Sequence, residues 1–528
     1  MGAHSEWEFS SMNRFCRTAL LLSALSAPLI CSAENTRPIL TPKPSAAAKI
    51  NGPTIYGARP GHPFLYRIPC TGVRPIQFAA QGLPPSLKLD RATGILSGTT
   101  PEKPGIYPVT LLATNANGKS SRLFRIVVGD TLALTPPMGW NTWYSDYGNP
   151  TAAKVRQAAD AMISSGMADF GYQYVNVDDG WPMKPGSTEP DLSGAPRDAQ
   201  GVIRPNDRFK DMAALAAYIH AKGLKAGLYS SPGPLNCAGF TGSWQHEELD
   251  AKTFAAWKFD FLKYDWCSYG KIAPKKPSLA DYRKPYDLMG GLLKQQDRDI
   301  VLNLCQYGMG DVWTWGSDSG GHSWRTTGDL GDEKRRRLPG FYYIALANAS
   351  HASYAGPGHW NDPDYILIGA IDDPAKYNQQ QTPVPVSLTA NEQYSYMSMW
   401  ALMASPLFYG GDMSALDDFT LGILCNSEVI DVDQDALGWQ GRVVRQSAGE
   451  FILEKPLEDG SVAVGLFNLS EGPLKMNVNL TDLGLDGDWK ARDLWRQIEI
   501  GSISNSLSSE VAPHGVTFVR LSSSRKIR

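Results

Sequence analysis

The feature that most constrains the fold is a regular alternation of short apolar segments with helical segments between residues 134 and 435. Eight of the apolar segments are predicted strands: Met138–Asn141, Tyr174–Asp178, Lys225–Ser230, Phe261–Asp265, Ile300–Cys305, Ser323–Thr327, Gly358–Asp362 and Pro406–Gly411. Helical segments separate them, among others Ala152–Ser165, Met212–Lys222 and Ala251–Lys258. Strands that alternate with helices indicate βαβ units and a parallel sheet. Eight such units over about 300 residues predict a (β/α)8 TIM barrel.

The regions on either side of this barrel have a different pattern. From Asn35 to Asp130, short alternating runs are separated by Pro, Gly and Thr, which favours a small β-sandwich. After Asp435 the two-residue alternation returns, at Gly441–Arg445 and Val462–Leu466 for example, and predicts a C-terminal antiparallel β-sandwich. We therefore expect a multidomain protein with a signal segment (1–33), an N-terminal sandwich (34–130), the barrel (131–437) and a C-terminal sandwich (438–528).

The first residues have the pattern of a secretory signal peptide. Arg14 and Arg17 precede an apolar run from Thr18 to Ile30, and the small residues Ser32 and Ala33 follow it. The run is shorter than the roughly 20 residues that a membrane-spanning helix needs, and no later segment is apolar enough to cross a membrane. The sequence predicts export to the periplasm or the extracellular space.

Charge and cysteine usage exclude several classes of protein. The chain has 50 Lys and Arg against 53 Asp and Glu, a net charge of −3, and no long basic run, so a nucleic-acid partner is not expected. Outside the signal segment there are five cysteines, Cys70, Cys237, Cys267, Cys305 and Cys425. At least one of them must be unpaired, and the fold must depend on its apolar core rather than on disulfides.

Polar and aromatic side chains are concentrated where the predicted barrel strands end. In a barrel enzyme the reacting groups lie at the C-terminal ends of the strands. A single carboxylate there can simply cap the next helix, but the number of carboxylates at these ends favours catalysis. The residues at these ends include Asp178, Asp179, Tyr229, Lys263, Asp265, Gln306, Tyr307, Arg325, Asp329 and Asp364.

Two kinds of chemistry use such a set of carboxylates. Glycoside cleavage needs one carboxylate to attack the anomeric carbon and another to protonate the leaving oxygen, with aromatic rings to hold the sugar. Metal-assisted hydrolysis usually adds several histidines, but only His322 and His359 fall near strand ends and no HExxH spacing occurs. Glycoside cleavage is therefore favoured, and we expect no metal and no organic cofactor.

Six ordered blocks at the strand ends carry a resemblance to a known family. They are PPMGWNTW (136–143), NVDDGW (176–181), KAGLYSSPG (225–233), LKYDWC (262–267), SWRTTGD (323–329) and GHWNDPDYILIG (358–369). Together they resemble glycoside hydrolase family 27, the α-galactosidase and α-N-acetylgalactosaminidase family. In the N-terminal region, residues 82–118 resemble the immunoglobulin-like (Ig-like) modules of secreted bacterial glycosidases.

The resemblance implies a retaining mechanism with a covalent glycosyl-enzyme intermediate. Asp265 would be the nucleophile and Asp329 the acid/base. A nucleophile must be ionised, and we expect neighbouring Lys263 to hold its pKa down. The resemblance further implies a Cys237–Cys267 disulfide.

The sugar-binding residues of the family also carry over. Asp178 and Asp179 would bind the hydroxyls at C4 and C6, and Lys263 those at C3 and C4. Arg325 and Asp364 would hold the 2-substituent side. Trp140 would be the platform beneath the sugar and Tyr229 another wall, whereas Trp143 is expected to pack structurally.

Two departures from the family pattern bear on the substrate. Gln306-Tyr307 stands where galactosidases of the family often have Glu-Trp, and because Gln306 is not small, a 2-hydroxyl sugar is favoured over an N-acetylated one. Tyr365 replaces a common methionine. The expected activity is hydrolysis of terminal α-D-galactosyl residues. The alternatives are β-L-arabinopyranosidase or isomaltodextranase specificity on the same aspartates, and a non-catalytic carbohydrate-binding protein.

Overall fold

The structure, a computed structural model, describes residues 37–330, 338–373 and 382–523. The predicted signal segment lies outside these residues. In the described part of the chain, no helix has the length and apolar character that crossing a bilayer requires.

The N-terminal domain is a β-sandwich, as predicted. A four-stranded sheet in the order β2-β9-β8-β5 faces a three-stranded sheet in the order β3-β7-β6, and Phe64, Phe78 and Phe124 belong to the core between them. The stacked rings of Tyr66 and Phe124, 4.6 Å apart, join the two sheets. The strands are β1 (Lys49–Ile50), β2 (Ile55–Ala58), β3 (Pro63–Arg67), β4 (Cys70–Thr71), β5 (Gln77–Gln81), β6 (Leu87–Leu89), β7 (Ile95–Thr99), β8 (Gly105–Asn115) and β9 (Gly118–Val128).

The central domain is the predicted barrel. Its eight strands are hydrogen-bonded in the order β16-β15-β14-β13-β12-β11-β10-β19, and each neighbouring pair is parallel. The ring closes where the Ile366 amide donates to the Phe408 carbonyl (2.7 Å) and the Gly410 amide donates to the Ile366 carbonyl (3.0 Å). The strands of this domain are β10 (Met138–Asn141), β11 (Tyr174–Asn176), β12 (Lys225–Ser230), β13 (Phe261–Asp265), β14 (Val301–Cys305), β15 (Ser323–Arg325), β16 (Trp360–Asp362), β17 (Ala370–Ile371), β18 (Val384–Pro385) and β19 (Leu407–Tyr409).

The helices of the barrel domain begin at residues that satisfy their free amides. The side chains of Thr151 and Asp211 accept from the amides of Lys154 and Ala214 at the starts of α2 and α3. Helix α4 begins four residues earlier than predicted, because the acidic residues of its first turn suit the positive end of the helix dipole. The helices are α1 (Trp143–Asp146), α2 (Ala152–Ser164), α3 (Met212–His220), α4 (Glu247–Ala256), α5 (Leu279–Lys294), α6 (Gly340–Ala349), α7 (Ala390–Leu402), α8 (Asp418–Leu424) and α9 (Ser427–Asp433).

The C-terminal domain is the predicted antiparallel β-sandwich. A six-stranded sheet in the order β20-β21-β22-β27-β24-β25 packs against the two-stranded sheet β23-β26 through a shared apolar core. Strands β24, β25 and β26 were not predicted. Strand β25 is exposed along nearly its whole length and β26 is rich in serine, so these two strands show no clear apolar alternation. The strands are β20 (Arg442–Gln446), β21 (Glu450–Pro456), β22 (Val462–Asn468), β23 (Leu474–Asn479), β24 (Trp489–Asp493), β25 (Ile498–Ile503), β26 (Ser506–Val511) and β27 (Val516–Ser523).

The N-terminal sandwich docks on the N-terminal ends of the barrel strands. Arg59 donates from Nε to Asp299 Oδ1 (2.7 Å) and from Nη1 to the Lys294 carbonyl (2.6 Å), just before β14 begins. Arg67 donates to the carbonyl of Lys222, just before β12. The sandwich is therefore at the end of the barrel opposite to the strand ends that carry the predicted site.

We expect Arg59→Ala to lower the free energy of unfolding by about 2 kcal/mol, because it removes the guanidinium partner of the mostly buried Asp299 carboxylate and leaves it only His62 as a side-chain partner. Chemical denaturation of the full chain measures this difference. Lys88→Ala, at an exposed residue of the same domain, is the control and should change stability by less than about 0.5 kcal/mol. Equal stability of the two variants would contradict the role given to Arg59.

Candidate active site

A small cavity of about 290 Å³ opens at the C-terminal ends of the barrel strands. Carboxylates, cations and aromatic rings surround it, as expected for a site built from strand ends of a barrel. The lining residues are Trp143, Tyr144, Asp178, Tyr229, Cys237, Lys263, Asp265, Tyr307, Arg325, Asp329 and Asp364.

Asp265 is the last residue of β13 and is only 4% exposed. Both of its carboxylate oxygens accept from tyrosine hydroxyls, Oδ1 from Tyr307 (2.6 Å) and Oδ2 from Tyr229 (3.0 Å). Burial raises the pKa of Asp265, and the charge of Lys263 and the Tyr307 hydroxyl oppose this rise. Lys263 lowers this pKa, as the sequence predicted, but burial outweighs its charge and the net shift is upward.

Asp329 is more open than Asp265, with a third of its side chain exposed (33%). Arg325 donates from Nη1 to Asp329 Oδ1 (2.9 Å), and its Nη2 lies 3.2 Å from Asp364 Oδ2. Burial raises the pKa of Asp364, although the charge of Arg325 opposes this. The charge of Asp329 also raises the pKa of Asp265, the carboxylate that lines the same cavity.

Asp178 and Lys263 form a buried ion pair on another side of the cavity. Lys263 Nζ donates to Asp178 Oδ2 (2.9 Å), and the Tyr365 hydroxyl donates to the same oxygen (3.2 Å). The other oxygen, Oδ1, accepts from the Asp179 amide (3.0 Å). Burial lowers the pKa of Lys263, but the negative charges around it, that of Asp178 foremost and that of Asp265 among them, together outweigh burial and raise the pKa well above its usual value. The ammonium group is therefore fixed as a cation beside Asp265.

Three predicted sugar-binding residues are not on the cavity wall. Asp179 is fully buried and accepts from the Ala238 amide (2.6 Å) and the Gly180 amide (2.8 Å), and burial raises its pKa to about 7. Trp140 is in the apolar core, with its indole N–H donating to the Gly411 carbonyl (2.8 Å).

Gln306 is the third of these residues. It is fully buried, and its amide nitrogen donates to the Met309 carbonyl (2.7 Å). Its amide oxygen has no hydrogen-bond partner. The other predicted sugar-binding residues, Asp178, Tyr229, Lys263, Arg325 and Asp364, line the cavity.

The structure places on the wall two aromatic residues to which the sequence had given no sugar-binding role. Trp143, which was expected to pack structurally, lines the cavity where Trp140 was expected, because α1 begins at Trp143 and turns its ring to the site. Tyr307 lines it where Gln306 was expected. The sequence offered one indication of this position, because Tyr307 directly follows Gln306, the residue that was predicted to bind the sugar.

The disulfide predicted between Cys237 and Cys267 is present, with its Cα atoms 4.9 Å apart. Cys237 lines the cavity, and Cys267 Sγ lies 3.3 Å from the Tyr229 hydroxyl. Among the described residues, Cys237, Asp265 and Cys267 are the group whose metal-ligating atoms converge. Because the disulfide joins the two sulfurs, this group is not a set of free thiolates that could hold a metal.

A parallel barrel with opposed aspartates and aromatic walls at its strand ends has the architecture of a carbohydrate-cleaving enzyme. Residues 135–435 match the family described as alpha galactosidase A, and residues 452–521 match the alpha galactosidase C-terminal beta sandwich domain. Residues 45–129 match an Ig domain model. The chain belongs to the α-galactosidase A family and is a glycoside hydrolase.

The similar proteins include enzymes of two named activities. Alpha-galactosidase 2 of Arabidopsis thaliana is 36% identical over 414 residues, which cover 77% of this chain and 94% of the relative. A solved structure of an α-galactosidase candidate from Bacteroides fragilis is 36% identical, covers 91% of this chain and 99% of its own, and has a TM-score of 0.82. A β-L-arabinopyranosidase of Geobacillus stearothermophilus is 26% identical, covers 74% of this chain and 97% of its own, and has a TM-score of 0.65.

Proposed function

We propose that the protein is an exported exo-glycosidase that removes terminal α-D-galactose with retention of configuration. The observation that carries the proposal is that Asp265 and Asp329 line one small cavity in different environments. Asp265 is buried and fixed by two hydroxyl donors, whereas Asp329 is partly open to solvent. A nucleophile needs the first environment, and a group that exchanges protons with the leaving group and with water needs the second.

In the first step, an oxygen of Asp265 forms a bond to the anomeric carbon of the sugar. The bond from that carbon to the leaving oxygen breaks, and the leaving oxygen takes its electron pair and a proton from Asp329. Arg325, which donates to Asp329 Oδ1, keeps this carboxyl in place. The product of this step is a galactosyl ester of Asp265.

In the second step, water attacks the anomeric carbon of this ester. Asp329, now ionised, takes a proton from the water, and the Asp265 carboxylate leaves with the electron pair of its bond to the sugar. The two displacements each invert the anomeric carbon, so the released sugar has the configuration of the substrate.

The side chains around the cavity support a sugar-binding site. The ion pair of Asp178 and Lys263 offers both a hydrogen-bond acceptor and a donor to adjacent sugar hydroxyls. Trp143 offers an aromatic face, which suits the apolar side of a pyranose.

A second candidate specificity is β-L-arabinopyranoside. The observation that favours it is Tyr365, whose hydroxyl already occupies Asp178 Oδ2 and so takes hydrogen-bonding capacity from that oxygen. L-Arabinopyranose resembles galactose without its C6 hydroxymethyl group, and a smaller site at that position would select it. The same two aspartates would perform the chemistry.

Initial rates on four p-nitrophenyl glycosides distinguish these specificities. The panel contains α-D-galactopyranoside, α-N-acetylgalactosaminide, β-L-arabinopyranoside and α-D-glucopyranoside. We expect the α-galactoside to have the highest kcat/KM and the first product by proton NMR to be α-galactose. A higher kcat/KM on the arabinoside would make β-L-arabinopyranoside the preferred substrate, with the same catalytic mechanism. No release from any of the four would contradict the proposed function.

Export is the localisation that we propose, on the support of the signal-like segment before residue 34. Expression of the full chain in a Gram-negative host, followed by fractionation and N-terminal sequencing, tests it. A mature protein in the periplasm or medium that begins near Glu34 is the expected result. A full-length chain that stays with the cytoplasm would contradict it.

A further inference from the structure

We propose that Tyr307 is a positioning residue that stabilises the Asp265 carboxylate as it leaves in the second step. The inference rests on the proposed function, because it assigns a role in the breakdown of the galactosyl ester. It concerns the tyrosine hydroxyl that reaches one oxygen of the proposed nucleophile at 2.6 Å.

The contacts of Asp265 leave few other groups to stabilise its charge. The hydroxyls of Tyr229 and Tyr307 each donate a hydrogen bond to one oxygen of the Asp265 carboxylate. Lys263 acts on Asp265 through its charge, but its hydrogen bond goes to Asp178. Asp265 is 4% exposed, so water contributes little. The hydrogen bond from Tyr307 is the shorter of the two and therefore a principal source of stabilisation.

The backbone at Tyr307 indicates that this contact is maintained against a local cost. Its φ is +63°, in the left-handed region that a bulky side chain rarely adopts. Such strained residues persist where the surrounding structure holds them, and they are concentrated at functional sites. With this conformation the side chain directly after the buried Gln306 lines the cavity, where its hydroxyl contacts Asp265 and the disulfide sulfur of Cys237 at 3.7 Å.

The effect of this hydrogen bond differs between the two steps. A hydroxyl donates more strongly to an ionised carboxylate than to a neutral ester oxygen. In the first step Asp265 loses its charge, so the bond weakens as the reaction proceeds. In the second step the charge returns to Asp265, so the bond strengthens towards the transition state. Tyr307 therefore assists release of the sugar more than its capture.

Tyr307→Phe removes the hydroxyl and keeps the ring. With 2,4-dinitrophenyl α-galactoside, whose good leaving group makes the second step limiting, we expect kcat to fall by about tenfold, the effect of one hydrogen bond to a charged group. KM should fall in parallel, so that kcat/KM changes by less than about threefold. A pre-steady-state burst should be larger, and mass spectrometry should detect more galactosyl-enzyme.

The pH profile gives a second, independent measurement. Loss of a donor to the ionised carboxylate should raise the pKa of Asp265 and move the acidic limb of kcat/KM upward by about one pH unit. Tyr365→Phe is the matched control, since it removes a hydroxyl that donates to Asp178 instead. It should raise KM and leave the acidic limb where it is. Tyr307→Trp, which also lacks a hydroxyl but fills the wall, repeats the test if the Phe variant folds poorly.

Two results would overturn the inference. One is a fall of kcat and kcat/KM by the same factor with an unchanged acidic limb, which is what a purely structural role would give. The other is the same split of kcat and KM in the Tyr365 control. Failure of the proposed function is recognised separately, because wild-type protein would then release nothing from the α-galactoside.

Discussion

Replacement of Asp265 by Asn should reduce turnover of an aryl α-galactoside by at least about four orders of magnitude, as loss of a catalytic nucleophile does. Asn has nearly the same shape as Asp, so the hydroxyls of Tyr229 and Tyr307 can still reach its amide and the fold should persist. The measurement is kcat of the purified variant, with circular dichroism and the unfolding midpoint to show that the structure is intact.

The control for this variant is Asp318→Asn, the same chemical change at an exposed residue of the barrel domain outside the cavity. It should keep wild-type rates. Azide adds a positive test with Asp265→Ala, because the small anion can enter the space of the lost carboxylate and attack the α-galactoside directly. That single displacement should form β-galactosyl azide. A wild-type rate for Asp265→Asn would falsify the assignment of the nucleophile.

Asp329→Ala should show the second-largest effect, and its size should depend on the leaving group. For an oligosaccharide, whose leaving oxygen needs a proton, we expect kcat/KM to fall by about 10³–10⁴. For 2,4-dinitrophenyl α-galactoside the first step needs no proton, so kcat/KM should fall far less. The second step still lacks its base, and azide should accelerate it by attack on the galactosyl ester.

The product of that azide reaction identifies the role of Asp329. Attack on an ester already inverted once gives α-galactosyl azide, the opposite configuration to the product expected from Asp265→Ala. Two variants of one site should therefore give two anomers with the same reagents. An equal loss of kcat/KM on all leaving groups would contradict the acid/base role and assign Asp329 to binding alone.

The barrel could be predicted from the sequence because each strand carries its own signal. Lys225–Ser230 and Phe261–Asp265 are buried from end to end and bounded by helices, so their limits agree with the prediction. The C-terminal strand β25 lacked this signal, since an exposed edge strand needs no apolar face, and serine-rich β26 buries only Leu507 and Val511. These strands form because they pair with β24 and β23, and such pairing depends on the folded sheet rather than on the local sequence.

The site was predictable to the level of the strand end but not of the individual side chain. Asp178 and Asp179 are neighbours in one motif, yet only Asp178 lines the cavity, because the amides of Gly180 and Ala238 bind Asp179. Trp140 and Trp143 share another motif, and the change from strand to helix between them decides which ring is on the wall.

The position of Tyr307 could not be predicted either, because it depends on an unusual backbone conformation. The family resemblance placed Gln306 in the site, at the position where galactosidases often have glutamate. The left-handed φ at Tyr307 departs from the extended backbone of a strand, in which side chains alternate between the two faces. No local pattern in the sequence announces this conformation, because tyrosine is not a residue that favours it.

Arg59 and Arg67 dock the N-terminal sandwich on the barrel, and this arrangement determines how the enzyme can be attached to a surface. The anchored module and the sugar entrance face in opposite directions along the barrel axis. A solid support that holds the protein through this module leaves the entrance of the cavity facing away from the support. Immobilisation through this module should therefore preserve access to the catalytic mouth, whereas attachment near the loop of Cys237 would block it.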